Sequence, residues 1–142
     1  MTAEQREVDG ATLAEVRAAC LPLPGVVEEE AWVGTRWRVA GRTFAHVLVV
    51  AEGWPPAYAK AVGSEGPLTL LMFRSSGPEL QALRHGAPPF FAPPWRRDEV
   101  GMVVDDDTDW SEVGELVTES FCTQAPARLV RLVDRPGSEP TA

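Results

Sequence analysis

A hairpin signal at Ala40-Gly41 constrains this 142-residue chain more than any other stretch. Two runs of alternating apolar residues, 34–39 and 42–50, meet at this pair. A glycine in a two-residue connection can take the positive φ that a tight turn needs. The sequence therefore predicts two antiparallel strands joined by a two-residue turn.

Side chains of a strand alternate between its two faces, so the hairpin also predicts which residues lie together. In the first strand, Trp37 and Val39 share one face, and Arg36 and Arg38 share the other. In the second strand, the same alternation places three side chains on one face: Phe44, His46 and Leu48.

The rest of the chain predicts helices with recognisable ends. Thr12 is in position to cap a helix over 12–20, and Ser76 to cap one that ends before Gly86. Asp109 is in position to cap a third helix that ends near Gln124, and Pro126 opens a short final helix.

Further strands are predicted at 68–73 and 100–104, which are short apolar runs, and at Phe90-Phe91, where flanking prolines allow only a short edge strand. The fold class predicted is α+β: two layers, an antiparallel sheet of about five strands, and helices mainly on one face. The order is α-β-β-β-α-β-β-α, with a further short helix at the end.

The predicted organisation is one domain over residues 12–133, between a disordered N-terminus (1–11) and a disordered tail (134–142). Residues 52–67 are rich in Gly, Pro and Ser, and are interpreted as a long loop rather than a flap over the sheet. The sequence shows neither a signal peptide nor a membrane span, so we expect a cytoplasmic protein that does not bind membranes, as a monomer or weak dimer.

The net charge of −8 is unevenly distributed. Residues 31–97 carry eight basic and three acidic side chains, whereas the flanks are acidic. A basic middle can attract phosphate although the whole chain repels it. The candidate nucleic-acid contacts are Arg36, Arg38, Arg42, Lys60, Arg74, Arg96 and Arg97.

Catalytic and metal-binding signals are weak. The carboxylates at 28–30 and 105–109 are interpreted as solvated or helix-capping residues, and a calcium loop starting at Asp105 fails because Trp110 and Leu116 occupy its Gly and Glu positions. Cys20 and Cys122 are read as thiols on the apolar faces of helices. We therefore expect no catalytic residues, no metal and no cofactor.

Several stretches together resemble the MmcQ/YjbR-like family. They are LPLPGVVEEEAWVGTRWRVAGRTFAHV, LLMFRSSGPELQALRH and WSEVGELVTESFCTQAPARL, which cover most of residues 12–133 in the family's order. The resemblance implies a secretion-chaperone-like or frataxin-like fold and the family's double-wing, DNA-binding label. Val33, where many relatives have Gly, and the long 52–67 segment depart from the family pattern.

Three functional hypotheses follow. The first is a nucleic-acid-binding protein, with DNA as its partner, that uses the basic residues above. The second is a non-enzymatic adaptor that holds a small molecule or a protein on a sheet face formed by Trp32, Trp37, His46 and Trp54. The third, an enzyme, is least supported because it needs His46 within reach of Glu28 or Glu30.

Overall fold

An open antiparallel sheet of six strands organises the residues that the computed structural model describes, 7–133. The strands are β1 (Val27–Glu30), β2 (Thr35–Val39), β3 (Arg42–Val50), β4 (Leu68–Arg74), β5 (Phe90–Phe91) and β6 (Glu99–Val104). The helices are α1 (Gly10–Cys20), α2 (Pro56–Val62), α3 (Gly77–Arg84), α4 (Trp110–Gln124) and α5 (Ala127–Val130). The strands lie side by side in the order β1-β2-β3-β4-β6-β5.

The predicted fold class is confirmed, with two elements that the sequence analysis did not include. The strand β1 is an edge strand of sequence VEEE. Because three of its four side chains are charged, its sequence lacks the apolar alternation that predicts a strand. The helix α2 lies within residues 52–67, so the expectation of a loop there is wrong. It starts at Pro56, where a missing N–H costs little, and ends at Gly63, whose φ of 75° terminates a helix without strain.

The first helix begins earlier than predicted. Asp9, not Thr12, is its N-cap, because the Asp9 carboxylate accepts from the Thr12 N–H at 3.3 Å. Gly10 and Ala11 are therefore helical, so the helix begins two residues before the predicted start at residue 12. The expectations of disorder at residues 1–6 and 134–142 lie outside the described residues.

The hairpin turn forms as predicted. Ala40 and Gly41 both have positive φ, 50° and 77°, which is the backbone of the tight turn that matches strand twist. Beyond the turn, the pairing shifts from Trp37↔Ala45 to Arg38↔Thr43. Phe44 therefore has no partner on β2 and is the extra residue of a β-bulge.

The bulge changes which face Phe44 occupies. Phe44 and Ala45 both belong to the core cluster on the helix-covered face, although they are adjacent in sequence. Their neighbour Leu48 belongs to the cluster on the opposite face. The expectation that Phe44 shares a face with His46 and Leu48 is therefore wrong, because a bulge breaks the alternation that the expectation assumed.

The sheet has two apolar faces of unequal size. The larger cluster joins one face to α1 and α4, with Trp37, Phe44 and Phe121 fully buried in it. The smaller cluster comprises Leu48, Val50, Leu70 and Met72, with side chains of α2 packed on it. Because α2 is only 7 residues long, it covers one end of this second face and leaves the other end open.

Candidate functional site

A cleft of about 560 Å³ occupies the part of the second sheet face that α2 leaves open. Three aromatic side chains form its walls: Trp32 from the β1–β2 connection, Tyr58 from α2 and Trp95 from the segment before β6. We call this site the aromatic cleft. Its volume is in the range of pockets that hold small organic ligands, about 300–1,000 Å³.

The strand register aligns the polar side chains of the cleft. Arg36 pairs with His46, and His46 pairs with Met72, so these three residues form one row across β2, β3 and β4. Arg74 pairs with Glu99 in a second row. Residues paired across antiparallel strands lie on the same face, which is why residues far apart in sequence meet in the cleft.

The bulge in β3 keeps the cleft floor open. In a regular strand, Phe44 would lie two residues from His46 on the same face, with its ring in the cleft. The ring instead packs on the helix side against Phe121, edge to face, with centroids 5.5 Å apart. Re-aiming a side chain beside a site is a common role of bulges.

Two of the walls are supported by further aromatic contacts. Trp32 is 80% exposed, and its ring centroid lies 5.3 Å from that of Trp54. Tyr58 and Trp95 meet at 5.0 Å in a T-shaped arrangement, and Tyr58 also lies 6.2 Å from His46. Trp32 thus presents a large apolar surface to solvent, while the wall formed by Tyr58 and Trp95 is held in place by packing.

The imidazole of His46 is fixed by a hydrogen bond. Its Nε2 lies 2.6 Å from the Val33 carbonyl oxygen, and because a carbonyl can only accept, Nε2 carries the proton. Burial lowers the pKa of His46 from its usual value, and the nearby charge of Arg36 acts in the same direction, against the Val33 bond. The neutral ring then has Nδ1 as an acceptor.

Glu99 is the single carboxylate among the described residues that line the cleft. It accepts from the Trp95 indole N–H at 3.2 Å and from Arg96 at 3.4 Å. Burial raises the pKa of Glu99 despite these contacts and the charge of Arg74. Arg84 donates to the Glu99 carbonyl at 2.7 Å, so the wall that contains Trp95 is tied to α3.

The seven predicted nucleic-acid contacts do not form one surface of free charge. Glu29 on β1 pairs with both Arg36 and Arg38 on β2, so the charges of these two guanidinium groups are already compensated. Four of the seven belong to ion pairs, and three of these four line the cleft. The ion pairs are Arg36–Glu29, Arg38–Glu29, Arg74–Asp98 and Arg96–Glu99.

The other three cations are exposed, and each lies on a different element. Arg42 begins β3, Lys60 is on α2, and Arg97 is in the segment before β6. None of them forms an ion pair or side-chain hydrogen bond with another residue of the 7–133 range.

The predicted tryptophan-bearing face requires one correction. Trp32, His46 and, through its contact with Trp32, Trp54 belong to the cleft side. Trp37 does not, because it is fully buried in the helix-side core, where its indole N–H donates to Glu28 at 2.9 Å.

The position of Glu28 also bears on the enzyme hypothesis. Its carboxylate is on the helix side, bonded to Arg17 and to Trp37, whereas His46 faces the cleft. Glu28, one of the two carboxylates that this hypothesis names, therefore does not pair with His46 in the described structure.

Sequence reasoning missed three of the cleft's main residues: Tyr58, Trp95 and Glu99. Tyr58 and Trp95 lie in proline-rich segments, for which the sequence predicts a loop and a turn, respectively. A large aromatic residue in such a segment was a usable signal, since a plain linker has no need for one.

The described residues contain neither a metal-binding cluster nor a membrane-spanning helix. Within 7–133, no three His, Cys, Asp or Glu side chains come together in an arrangement that could hold a metal ion. The helices of the same range include none with the length and apolar character needed to cross a bilayer.

Comparison with known proteins shows the same fold elsewhere. A family model described as YjbR matches residues 21–123. The crystal structure of a protein from Pseudomonas syringae, a structural genomics target, superposes with a TM-score of 0.59 at 11% identity, covering 82% of this chain and 99% of that chain. At that identity the likeness shows the fold alone. No functionally curated protein matches the chain significantly.

Proposed function

The chain belongs to the YjbR family, and from that premise we propose that it is a non-catalytic binding protein that holds a small molecule in the aromatic cleft. Family membership supplies the fold, so the argument for a ligand depends on this molecule's own side chains. The observation that carries the proposal is the exposed indole of Trp32, which lines a cleft of about 560 Å³ together with the packed Tyr58–Trp95 pair.

The exposure of Trp32 supports a ligand because it is costly in the unliganded protein. An indole that is 80% exposed leaves a large apolar area in water, and burying such area is worth about 25 cal/mol per Å². A flat ligand in the cleft would cover this ring. Aromatic walls around a concave site are typical of ligand pockets.

The polar groups of the cleft support binding rather than catalysis. The N–H at His46 Nε2 already donates a hydrogen bond to the Val33 carbonyl, and the Glu99 carboxylate already accepts hydrogen bonds from Trp95 and Arg96. Groups whose hydrogen bonds hold the site's own walls are suited to orienting a ligand. This arrangement favours the adaptor hypothesis over the enzyme hypothesis.

The proposal can be tested with a neutral aromatic probe, 2-naphthamide, by isothermal titration calorimetry. We expect saturable binding of one molecule per chain, weakened about three- to tenfold in W32A, because one stacking contact is worth about 1 kcal/mol. Since Trp32 is exposed, W32A should remain folded.

Leu21, an exposed apolar residue outside the cleft, provides the matched control, and L21A should bind the probe as the wild type does. Equal affinity of W32A and the wild type would overturn the proposed site. Absence of saturable binding for naphthalene compounds of every charge would overturn the proposed function.

Duplex and single-stranded DNA belong in the same experiment as competing ligands. The seven candidate phosphate contacts are divided between ion pairs and separate elements of the fold, which favours the cleft over a nucleic-acid surface. Tight, salt-dependent DNA binding that is lost in a R42A/K60A/R97A triple variant, with no probe binding, would support the nucleic-acid hypothesis instead.

A further inference from the structure

The charged groups that line the aromatic cleft are predominantly cationic. Three guanidinium groups line it, those of Arg36, Arg74 and Arg96, against the single carboxylate of Glu99. Arg36 pairs with Glu29 and Arg74 with Asp98, two carboxylates outside the lining, and Glu99 lies 3.9 Å from Arg74 within it.

Hydrogen-bond capacity in the cleft is similarly unbalanced. Both Glu99 oxygens already accept, one from Trp95 and one from Arg96. A guanidinium carries five N–H donors, and Arg96 uses one of them, in a long contact of 3.4 Å. Its side chain is 49% exposed, so its remaining donors are open to a ligand. The lining therefore offers unused donors and few unused acceptors.

Arg96 is well placed to bind an anionic group on a ring held by the aromatic walls. It follows Trp95 directly, and Trp95 packs against Tyr58 at 5.0 Å. Arg84 donates to the Arg96 carbonyl at 2.9 Å, which ties the backbone at Arg96 to α3. A planar guanidinium on an anchored backbone suits a carboxylate, which accepts two parallel N–H bonds from it.

We infer that the ligand of the aromatic cleft is a planar aromatic acid, with its ring between Trp32 and the Tyr58–Trp95 wall and its carboxylate on Arg96. Arg36, which is paired with Glu29, borders the cleft on its β2 side. This inference rests on the proposed function and names the ligand class for the same site.

The test compares three probes that share a naphthalene ring and differ in charge: 2-naphthoate, 2-naphthamide and 2-naphthylmethylamine. With the full chain at pH 7.5 and low salt, we expect 2-naphthoate to bind about tenfold more tightly than 2-naphthamide, and the amine most weakly. Raising the salt concentration should reduce the preference for the acid, because the guanidinium is partly exposed.

The variant R96Q should abolish most of this preference. We expect its affinity for 2-naphthoate to fall to within about twofold of its affinity for 2-naphthamide, while the affinity for 2-naphthamide falls by no more than about twofold. The adjacent Arg97 is exposed and does not line the cleft, so R97Q is the matched control and should retain the preference of the wild type.

Two results would overturn the inference and leave the proposed function standing. One is equal or tighter binding of the amide or the amine by the wild type, and the other is an equal loss of acid and amide binding in R96Q. If none of the three probes binds, the proposed function fails, and the inference fails with it.

Discussion

The hydroxyl of Ser120 on α4 donates to the carbonyl oxygen of Phe44 at 2.6 Å, at the bulge in β3. The same hydroxyl accepts from the Arg74 N–H at 2.7 Å, at the end of β4. At this end of the two strands the last pair of β3 and β4 is Ala45↔Phe73, so Phe44 and Arg74 do not pair with each other. Ser120 therefore supplies hydrogen bonds where the ladder is interrupted, so a helix on one face stabilises the bulge that opens the cleft on the other.

Replacing Ser120 by alanine should lower the free energy of unfolding by about 2–4 kcal/mol, because a buried carbonyl and a buried N–H then lose their partner. Urea denaturation followed by circular dichroism measures this loss. Ser111, exposed in the first turn of α4, is the matched control, and S111A should stay within about 0.5 kcal/mol of the wild type. If the free energy of unfolding of S120A also stayed within about 0.5 kcal/mol of the wild type, the role given to the Ser120 hydroxyl would be contradicted.

Replacing Ala40 by asparagine should stabilise the protein by about 0.5–1 kcal/mol. Ala40 has a φ of 50°, a left-handed conformation that asparagine tolerates better than alanine, and Asn-Gly is the preferred pair for this turn. The measurement is the shift in urea midpoint.

The variant G41A completes the comparison. Gly41 has a φ of 77°, and a Cβ there meets nothing closer than the Arg38 guanidinium at 3.9 Å, so its cost is conformational. We expect a loss of about 1 kcal/mol. Equal stabilities of A40N, G41A and the wild type would show that the turn does not control hairpin stability.

His46 should make the protein less stable as the pH falls from 7.5 to 5.5. Burial lowers the pKa of His46 in the folded state. In this range the unfolded chain therefore binds a proton more readily, and unfolding becomes easier. Denaturation at several pH values should show a shallower fall in H46Q than in the wild type.

The control for this experiment is H85Q, which removes the exposed imidazole at the end of α3. It measures the effect of losing a histidine outside the cleft. A steeper pH dependence in H46Q than in the wild type would show that burial of a neutral His46 is not the source of the effect.

Replacing Trp37 by phenylalanine should destabilise the protein by about 2 kcal/mol or more. The smaller ring leaves a void in the helix-side core, and the indole N–H bond to Glu28 at 2.9 Å is lost. Chemical denaturation measures the change. W32F, at the exposed tryptophan of the cleft, should cost under about 0.5 kcal/mol, and a reversed order would contradict the assignment of the two residues to opposite environments.

Several features could be predicted from the sequence because their causes are local. Asp109 caps α4 as expected, accepting from the Ser111 and Glu112 N–H groups. The apolar run at 68–73 forms β4. The family resemblance is confirmed by a family model over residues 21–123. The cap and the strand each depend on residues that are neighbours in the chain.

Other features were missed because local signals were ambiguous or masked by charge. Asp9 and Thr12 are both able to cap α1, and only the structure distinguishes them. The strand β1 carries three glutamates, two of which find cationic partners on α1 and β2. Opposite charges across strands stabilise such an edge, but sequence periodicity does not reveal them.

The amino-acid sequence by itself determined the hairpin, since positive φ at Ala40 and Gly41 is a property of two adjacent residues. Only the tertiary structure decided the face of Phe44. Its carbonyl bonds to Ser120, 76 positions away, and its ring packs on Phe121. A backbone turn is governed by local sterics, whereas a bulge forms only where distant groups satisfy the hydrogen bonds and fill the space that it changes. The cleft that we propose as the site depends on that bulge.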